Sequence, residues 1–65
     1  MLRKEYWLKN MNTGHVMQVV QDLPADADES RIREIDAAVF ETAVLNGFAC
    51  IYERRYRVPI APGSN

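Results

Sequence analysis

The chain has 65 residues, of which 48% are hydrophobic and 26% charged, a composition typical of one small globular domain. Its formal net charge of −1 gives no global attraction to nucleic acid or to an anionic membrane. A single cysteine and a single histidine exclude an internal disulfide and a structural zinc site. No apolar run is long enough to span a bilayer. We expect a cytoplasmic protein in which residues 1–59 form one compact domain and residues 60–65 a flexible tail.

The N-terminal third predicts a β-hairpin. Lys4–Asn10 alternates, with Tyr6 and Leu8 on one face and Trp7 on the other. The NMNTG segment that follows is a turn, because asparagine and glycine tolerate positive φ. His15–Leu23 is rich in valine and predicts the second, antiparallel strand.

Residues 28–47, DESRIREIDAAVFETAVLNG, predict one amphipathic helix. Its apolar stripe consists of residues at three- and four-residue spacing, with Ala38 and Leu45 beside them: Ile32, Ile35, Val39, Thr42, Ala43 and Asn46. Asp26, Asp28 and Ser30 are candidate N-caps, and Asp26 with Glu29 has the spacing of a capping box. Gly47 supplies the left-handed residue that ends a helix.

Phe48–Val58 predicts a third strand, which Pro59 ends. The fold class is therefore α+β: a small β-β-α-β domain with a three-stranded sheet in the order 2-1-3 and one helix packed on one face. Eleven residues of strand extend ~36 Å, whereas the helix covers only ~27 Å. We therefore expect the third strand to bend near residues 53–55, or to project past the domain as an open edge.

Strand alternation assigns side chains to the two faces of this sheet. The face toward the helix is predicted to carry Leu2, Tyr6, Leu8, Met17, Val19, Leu23, Phe48, Cys50, Tyr52, Tyr56 and Val58. The opposite face is predicted to carry Trp7, Lys9, Val16, Gln18, Val20, Ala49, Ile51, Glu53, Arg55 and Arg57. The helix leaves this second face open, and an exposed apolar patch centred on a tryptophan is typical of an interface.

Residue types that carry chemistry do not form a recognisable constellation. His15 has no serine or cysteine near it, Cys50 lies between two aromatic residues as a small hydrophobe, and the three glycines are isolated. The acidic run before the helix caps it and lacks the spacing of a calcium loop. We therefore expect no enzyme activity, no metal site and no cofactor.

The leading hypothesis is a small non-enzymatic binding protein that modulates or inhibits a larger macromolecular partner, of the kind that phages and mobile elements carry. Its contact residues would be Trp7, Val16, Val20, Ile51, Arg55 and Arg57. A homodimer is expected through the open face or the third-strand edge. If dimerisation uses the open face, partner contacts move to the helix exterior, at Arg31, Arg33, Glu34 and Glu41.

Two alternatives stay open. The first is a small nucleic-acid-binding regulator that uses an arginine cluster interleaved with tyrosines: Arg54, Arg55, Arg57, Tyr52 and Tyr56. The second is a structural subunit that joins an assembly through its strand edge.

Overall fold

The computed structural model describes residues 1–59, so the predicted tail at residues 60–65 lies outside the described residues. Three strands and one helix follow in the predicted order: β1 (Leu2–Asn10), β2 (Val16–Leu23), α1 (Glu29–Leu45) and β3 (Phe48–Arg57). The sheet has the order β2-β1-β3, and β1 pairs antiparallel with both neighbours. The predicted α+β fold class and strand order are confirmed.

The hairpin between β1 and β2 is closed by Asn10. Its side-chain oxygen accepts hydrogen bonds from the backbone N–H groups of Asn12 (2.8 Å) and Thr13 (3.0 Å), as asparagine often does in turns. The Asn10 N–H donates to the His15 carbonyl (2.7 Å), and the Gly14 N–H donates back to the Asn10 carbonyl (2.8 Å). Gly14 has a φ of +80°, which a side chain would disfavour.

Both ends of α1 are capped by residues that the sequence indicates. Asp28 is the N-cap, and its carboxylate accepts from the Arg31 N–H at 2.8 Å. At the C-terminal end, Gly47 has a φ of +79° and donates its N–H to the Val44 carbonyl, so the chain turns directly into β3. The Gly47 carbonyl then accepts from the Met11 N–H at 2.9 Å, which ties the helix end to the hairpin turn.

The core lies between the sheet and α1, around Tyr6, Leu8 and Ala43. Five half-buried residues pack against these three: Val19, Val39, Phe40, Phe48 and Cys50. Phe40 meets the Tyr6 ring edge-to-face, with ring centroids 5.8 Å apart, a favourable aromatic geometry.

The helix is rotated relative to the predicted apolar stripe. Phe40 belongs to the buried side although the stripe omitted it, whereas Thr42, Asn46 and Leu45 are exposed. The rotation has a polar cause. Asp36, also outside the stripe, accepts from the Tyr6 hydroxyl at 2.6 Å and lies 3.2 Å from the ammonium group of Lys4. These two contacts hold the side of α1 that carries Asp36 against β1.

Lys4 is the deepest charged side chain on the helix side of the sheet, with its side chain 5% exposed. Its ammonium group contacts both Asp36 and Glu53, at 3.2 and 3.3 Å. Burial raises the pKa of the neighbouring Tyr6 phenol, and its hydrogen bond to Asp36 raises it further. The phenol is therefore a neutral donor at physiological pH. The polar contacts among Lys4, Tyr6 and Asp36 extend the packed interior from the apolar core toward the start of α1.

A β-bulge in β3 decides which side chains share a face. Trp7 pairs with Tyr52 and Leu8 pairs with Cys50, so Ile51 between them has no partner on β1. An extra residue in a strand reverses its alternation beyond that point. Before the bulge, Phe48 and Cys50 face α1 as predicted.

After the bulge the predicted assignment of β3 is wrong. Tyr52, Arg54 and Tyr56 lie on the face away from α1, since their partners on β1 are Trp7, Glu5 and Arg3. The intervening residues, Glu53, Arg55 and Arg57, pair with Tyr6, Lys4 and Leu2 and lie on the helix side. The prediction assumed an unbroken strand, so it placed Tyr52 and Tyr56 on the helix side and Glu53, Arg55 and Arg57 on the open face.

Candidate functional site

The open face of the sheet is the surface turned away from α1. It carries alternate residues of all three strands: Arg3, Glu5, Trp7, Lys9, Val16, Gln18, Val20, Asp22, Ala49, Tyr52, Arg54 and Tyr56. Because no element among the described residues covers this face, its side chains cover one another. The bulge in β3 brings the aromatic and arginine residues of two strands together here.

Four of these residues, Trp7, Tyr52, Arg54 and Tyr56, form an aromatic–arginine layer. The rings of Trp7 and Tyr52 pack with centroids 5.1 Å apart at an interplanar angle of 54°. The Arg54 guanidinium lies over the Trp7 ring at 5.8 Å and over the Tyr56 ring at 4.8 Å, within the range of cation–π attraction. One guanidinium therefore bridges two aromatic rings.

Glu5 anchors this layer from below. Its carboxylate accepts from the Arg54 guanidinium and from the Tyr56 hydroxyl, the latter at 2.9 Å. The residue is only 6% exposed although it lies on the open face, because the layer covers it. The hydrogen bond from Arg54 holds the Glu5 pKa below its usual range, with a further contribution from Tyr56. Glu5 is therefore ionised at neutral pH and fixes the orientation of both partners.

A second ion pair and two valines border the aromatic–arginine layer. Arg3 contacts the Asp22 carboxylate with two nitrogens, at 2.7 and 3.1 Å, the forked geometry that arginine favours. This hydrogen bonding lowers the Asp22 pKa. Val16 and Val20 flank Gln18, the partner of Trp7 on β2, and are 52% and 44% exposed. They lie diagonally across from Trp7, as the predicted patch requires.

Three of the predicted contact residues lie elsewhere. Arg55 reaches the first turn of α1 and pairs with Glu29 at 3.1 Å, and Arg57 donates to the Ala25 carbonyl at 3.4 Å. Neither can share one contact surface with Trp7 across the sheet. Ile51 is the bulged residue, and it lines an open depression that also includes Phe40 of α1.

The sequence reasoning missed Glu5 and treated Arg54 only as part of the nucleic-acid alternative. A carboxylate directly before Tyr6 and Trp7 in an amphipathic strand was the available signal. It could be interpreted only with the cross-strand register, which places Glu5 opposite Arg54.

A second surface feature lies on the helix side. Because α1 lies nearer β3 than β2, an apolar groove with a volume of about 470 Å³ separates the helix from β2. Met17, Val19, Ile35, Ala38 and Phe48 contribute to its walls. The groove runs beside the outer edge of the sheet.

The remaining candidates for chemistry are dispersed. His15 is exposed beside the hairpin turn, and Cys50 is half-buried with its thiol 3.4 Å from the Tyr52 carbonyl. Within residues 1–59, no group of three histidine, cysteine or acidic side chains could hold a metal ion. No helix in that range has the length and apolar character that a membrane crossing requires.

A comparison of the chain with protein-family models, with curated proteins and with solved structures gave no match. Function must therefore be inferred from the geometry of the chain itself.

Proposed function

We propose that the chain is a non-enzymatic protein-binding module whose contact surface is the aromatic–arginine layer of the open face. The observation that carries this proposal is the bridging position of Arg54 between Trp7 and Tyr56, with Glu5 beneath it. Tryptophan, tyrosine and arginine are the residue types that dominate binding energy at protein interfaces. The flanking Val16 and Val20 add exposed apolar area around them.

Preorganisation supports the same proposal. Immobilising a flexible side chain at an interface costs about 0.5–1.5 kcal/mol in entropy. A side chain that is already ordered before binding avoids most of this cost. In the layer, Arg54 and Tyr56 are both bonded to Glu5, and Tyr52 packs on Trp7. A partner would therefore meet a surface whose side chains are already held in place. The chain would act on this partner by masking the surface that it covers.

The charge pattern favours a protein partner over nucleic acid. Phosphate recognition needs cations whose charge is not already neutralised. On the open face Arg3 is paired with Asp22 and Arg54 with Glu5. Of the cations there, only Lys9 has no ion-pair partner among the described residues. Arg55 is likewise paired with Glu29 on the other side of the sheet.

The test is a capture experiment from the cell in which the protein is produced. The immobilised wild type is compared with Trp7→Ala and Arg54→Ala, and with Arg55→Ala as the matched control. Arg54 and Arg55 are adjacent, similarly exposed and each in one ion pair, but they lie on opposite faces. Circular dichroism first establishes that each variant is folded.

We expect a protein that the wild type and Arg55→Ala retain and that Trp7→Ala and Arg54→Ala lose. Affinity for the purified partner should fall by about 30-fold or more in each open-face variant, because a hot-spot truncation costs about 2 kcal/mol. Equal binding by all four proteins would refute the proposal. So would loss of binding confined to Arg55→Ala.

The nucleic-acid alternative gives a different result in a simple assay. A chain that binds through free arginines would shift single-stranded oligonucleotides at low salt, with affinity falling steeply as salt is raised. The ion pairs of the open face predict no shift even at low salt, about 50 mM. A salt-sensitive complex that Arg54→Ala abolishes would favour the alternative.

A further inference from the structure

The outer edge of β2 lacks the protection that edge strands usually have. β2 is an edge strand of the sheet, and Val16–Gln21 contains no charged residue and no proline. Val16, Met17 and Val20 are 52%, 47% and 44% exposed, so side chains on both faces of the strand contact solvent. Natural edge strands are normally blunted by charges, prolines or bulges.

The opposite edge, β3, shows those devices. It contains the bulge at Ile51 and four consecutive residues, Glu53, Arg54, Arg55 and Tyr56, of which three are charged. One sheet therefore has one protected edge and one edge suited to further pairing. A long unprotected edge of this kind pairs with another strand through its free backbone groups.

The hydrogen bonding of the hairpin identifies which backbone groups on β2 are free. Asn10 and His15 form a hydrogen-bonded position, since the Asn10 N–H donates to the His15 carbonyl. Hydrogen-bonded and non-hydrogen-bonded pairs alternate along an antiparallel ladder. With the observed register, Met17, Val19, Gln21 and Leu23 bond to β1. The outward-pointing groups are those of Val16, Gln18, Val20 and Asp22.

We propose that the partner of this edge is a second copy of the chain, with β2 pairing antiparallel to its own counterpart about a two-fold axis at Val19. Outward-pointing residues must pair with outward-pointing residues, and this condition admits only registers in which the two residue numbers sum to an even value. A sum of 38 pairs all four outward-pointing residues of each copy, whereas a sum of 40 has the same overlap but pairs only three of them. Val16 then pairs with Asp22 of the second copy, and Gln18 pairs with Val20.

This register joins the two sheets into one of six strands. Residues directly opposite each other in an antiparallel pair point to the same face, so both helices lie on one face and both aromatic–arginine layers on the other. The proposal does not depend on the protein-binding role of the open face, which stays exposed in both copies.

The groove beside β2 supports a second copy as the occupant. In the joined sheet the two grooves meet at the two-fold axis, where Val19 lies opposite Val19 of the second copy and Met17 lies opposite Gln21. Apolar surface that α1 leaves uncovered, at Met17, Val19 and Ile35, is then enclosed between two helices. Burial of apolar area of this kind is the main force of association.

The charges along the joint are complementary. Asp22 of one copy pairs with Val16 of the other, and Lys9 lies beside that valine on β1. The Lys9 backbone is thus about two strand spacings, ~9.6 Å, from the backbone of the acidic residue. The Lys9 side chain therefore gains a carboxylate of the second copy within its reach. No like charges meet across the joint.

Cysteine cross-linking tests the register directly, in a Cys50→Ala background that removes the native thiol. Val19→Cys should form a disulfide-linked dimer under mild oxidation, because facing residues of a non-hydrogen-bonded pair have Cα atoms ~4.5 Å apart. Gln21→Cys is the matched control. In the proposed register position 21 of one copy and position 21 of the other lie four residues apart along the strand, ~13 Å, so this variant should not cross-link alone. A mixture of Gln21→Cys with Met17→Cys should cross-link.

Light scattering on the full chain tests the dimer itself. The wild type should have twice the mass of the 7.5 kDa chain. Gln18→Pro should halve that mass, since it removes an outward N–H and leaves the bonds to β1 intact. Val20→Lys, which places a charge on the edge, should do the same, and circular dichroism is used to check that both variants are folded. The proposal is overturned if the wild type has the mass of one chain. It is also overturned if both variants remain dimeric, or if Gln21→Cys alone forms a cross-linked dimer and Val19→Cys does not.

Discussion

The hydrogen bond between Tyr6 and Asp36 gives the sharpest test of how α1 is oriented on the sheet. Tyr6 is fully buried, and its hydroxyl donates to the Asp36 carboxylate at 2.6 Å. Tyr6→Phe removes that donor and keeps the ring against Phe40. A hydrogen bond to a charged group is worth about 1.5–3 kcal/mol.

We expect a value near the lower limit of that range, about 1.5 kcal/mol. Asp36 retains its contact with Lys4, and its side chain is 23% exposed, so water can replace part of what is lost. In a domain of this size, 1.5 kcal/mol lowers the melting temperature by about 6–12 °C. Tyr52→Phe is the control, because the Tyr52 hydroxyl makes no hydrogen bond within residues 1–59. It should change stability by less than about 0.5 kcal/mol.

The assay is reversible thermal and urea unfolding of the wild type, Tyr6→Phe, Asp36→Asn and the double variant. The double-mutant cycle should return a coupling of about 1 kcal/mol or more. Because the Tyr6 pKa is raised in the folded state, its contribution is complete below pH ~10 and is lost as the pH rises through the folded pKa. Tyr6→Phe should lack that alkaline loss. Equal stability of Tyr6→Phe and Tyr52→Phe would refute the orientation of α1 described here.

Three further perturbations test other parts of the structure. The pKa of Glu5 is lowered from 4.5 in the folded protein, so the stability that its ionised form contributes is present above that pH and is lost as the pH falls through the folded pKa. The urea midpoint of Glu5→Gln should therefore fall less steeply between pH 7 and pH 3 than that of the wild type, and an equal fall in both proteins would contradict this. Gly47→Ala should cost about 1 kcal/mol in thermal unfolding through its φ of +79° alone, since an added Cβ would meet only the Asn12 side chain at 3.9 Å. Deleting Ile51 should leave the Arg54–Glu5 pair on the open face and cost about as little as Ile51→Ala, because the deletion removes a 55% exposed residue that has no partner on β1 and keeps Cys50 opposite Leu8 and Tyr52 opposite Trp7. A much lower melting temperature for the deletion than for Ile51→Ala would contradict the assignment of Ile51 as the bulged residue.

Local signals in the sequence were sufficient for the elements and their order. Asn10 and Gly14 form the turn, and Asp28 and Gly47 bound the helix, through side-chain and φ preferences that depend on few neighbours. Alternation in β1 and β2 placed Tyr6, Trp7 and their neighbours on the correct faces, because neither strand is interrupted.

The faces of β3 could not be obtained in the same way. A bulge leaves no clear mark in one sequence, since it depends on how a strand must twist to follow its partner. The length of the third strand indicated an irregularity near residues 53–55, and the structure places it at Ile51. The bulge reverses the face on which every later residue of β3 lies. It moves Arg55 and Arg57 away from Trp7 and brings Tyr52, Arg54 and Tyr56 to it.

The rotation of α1 was hidden for a related reason. Apolar periodicity ranks Thr42 and Asn46 above Asp36, because an aspartate in a helix normally lies in solvent. Its burial here depends on two groups of β1, the Tyr6 hydroxyl and the Lys4 ammonium. Such a polar contact between distant residues becomes visible only in three dimensions.

The most direct test of the central claim is a nuclear magnetic resonance titration of the labelled protein with the partner that the capture experiment identifies. Trp7 is the only tryptophan of the chain, so its indole N–H gives one unambiguous signal at the centre of the proposed surface. We predict that this signal, the Arg54 Nε–H and the Tyr52 amide show the largest changes. Changes confined to the helix exterior, at Arg31, Arg33, Glu34 and Glu41, would contradict the account.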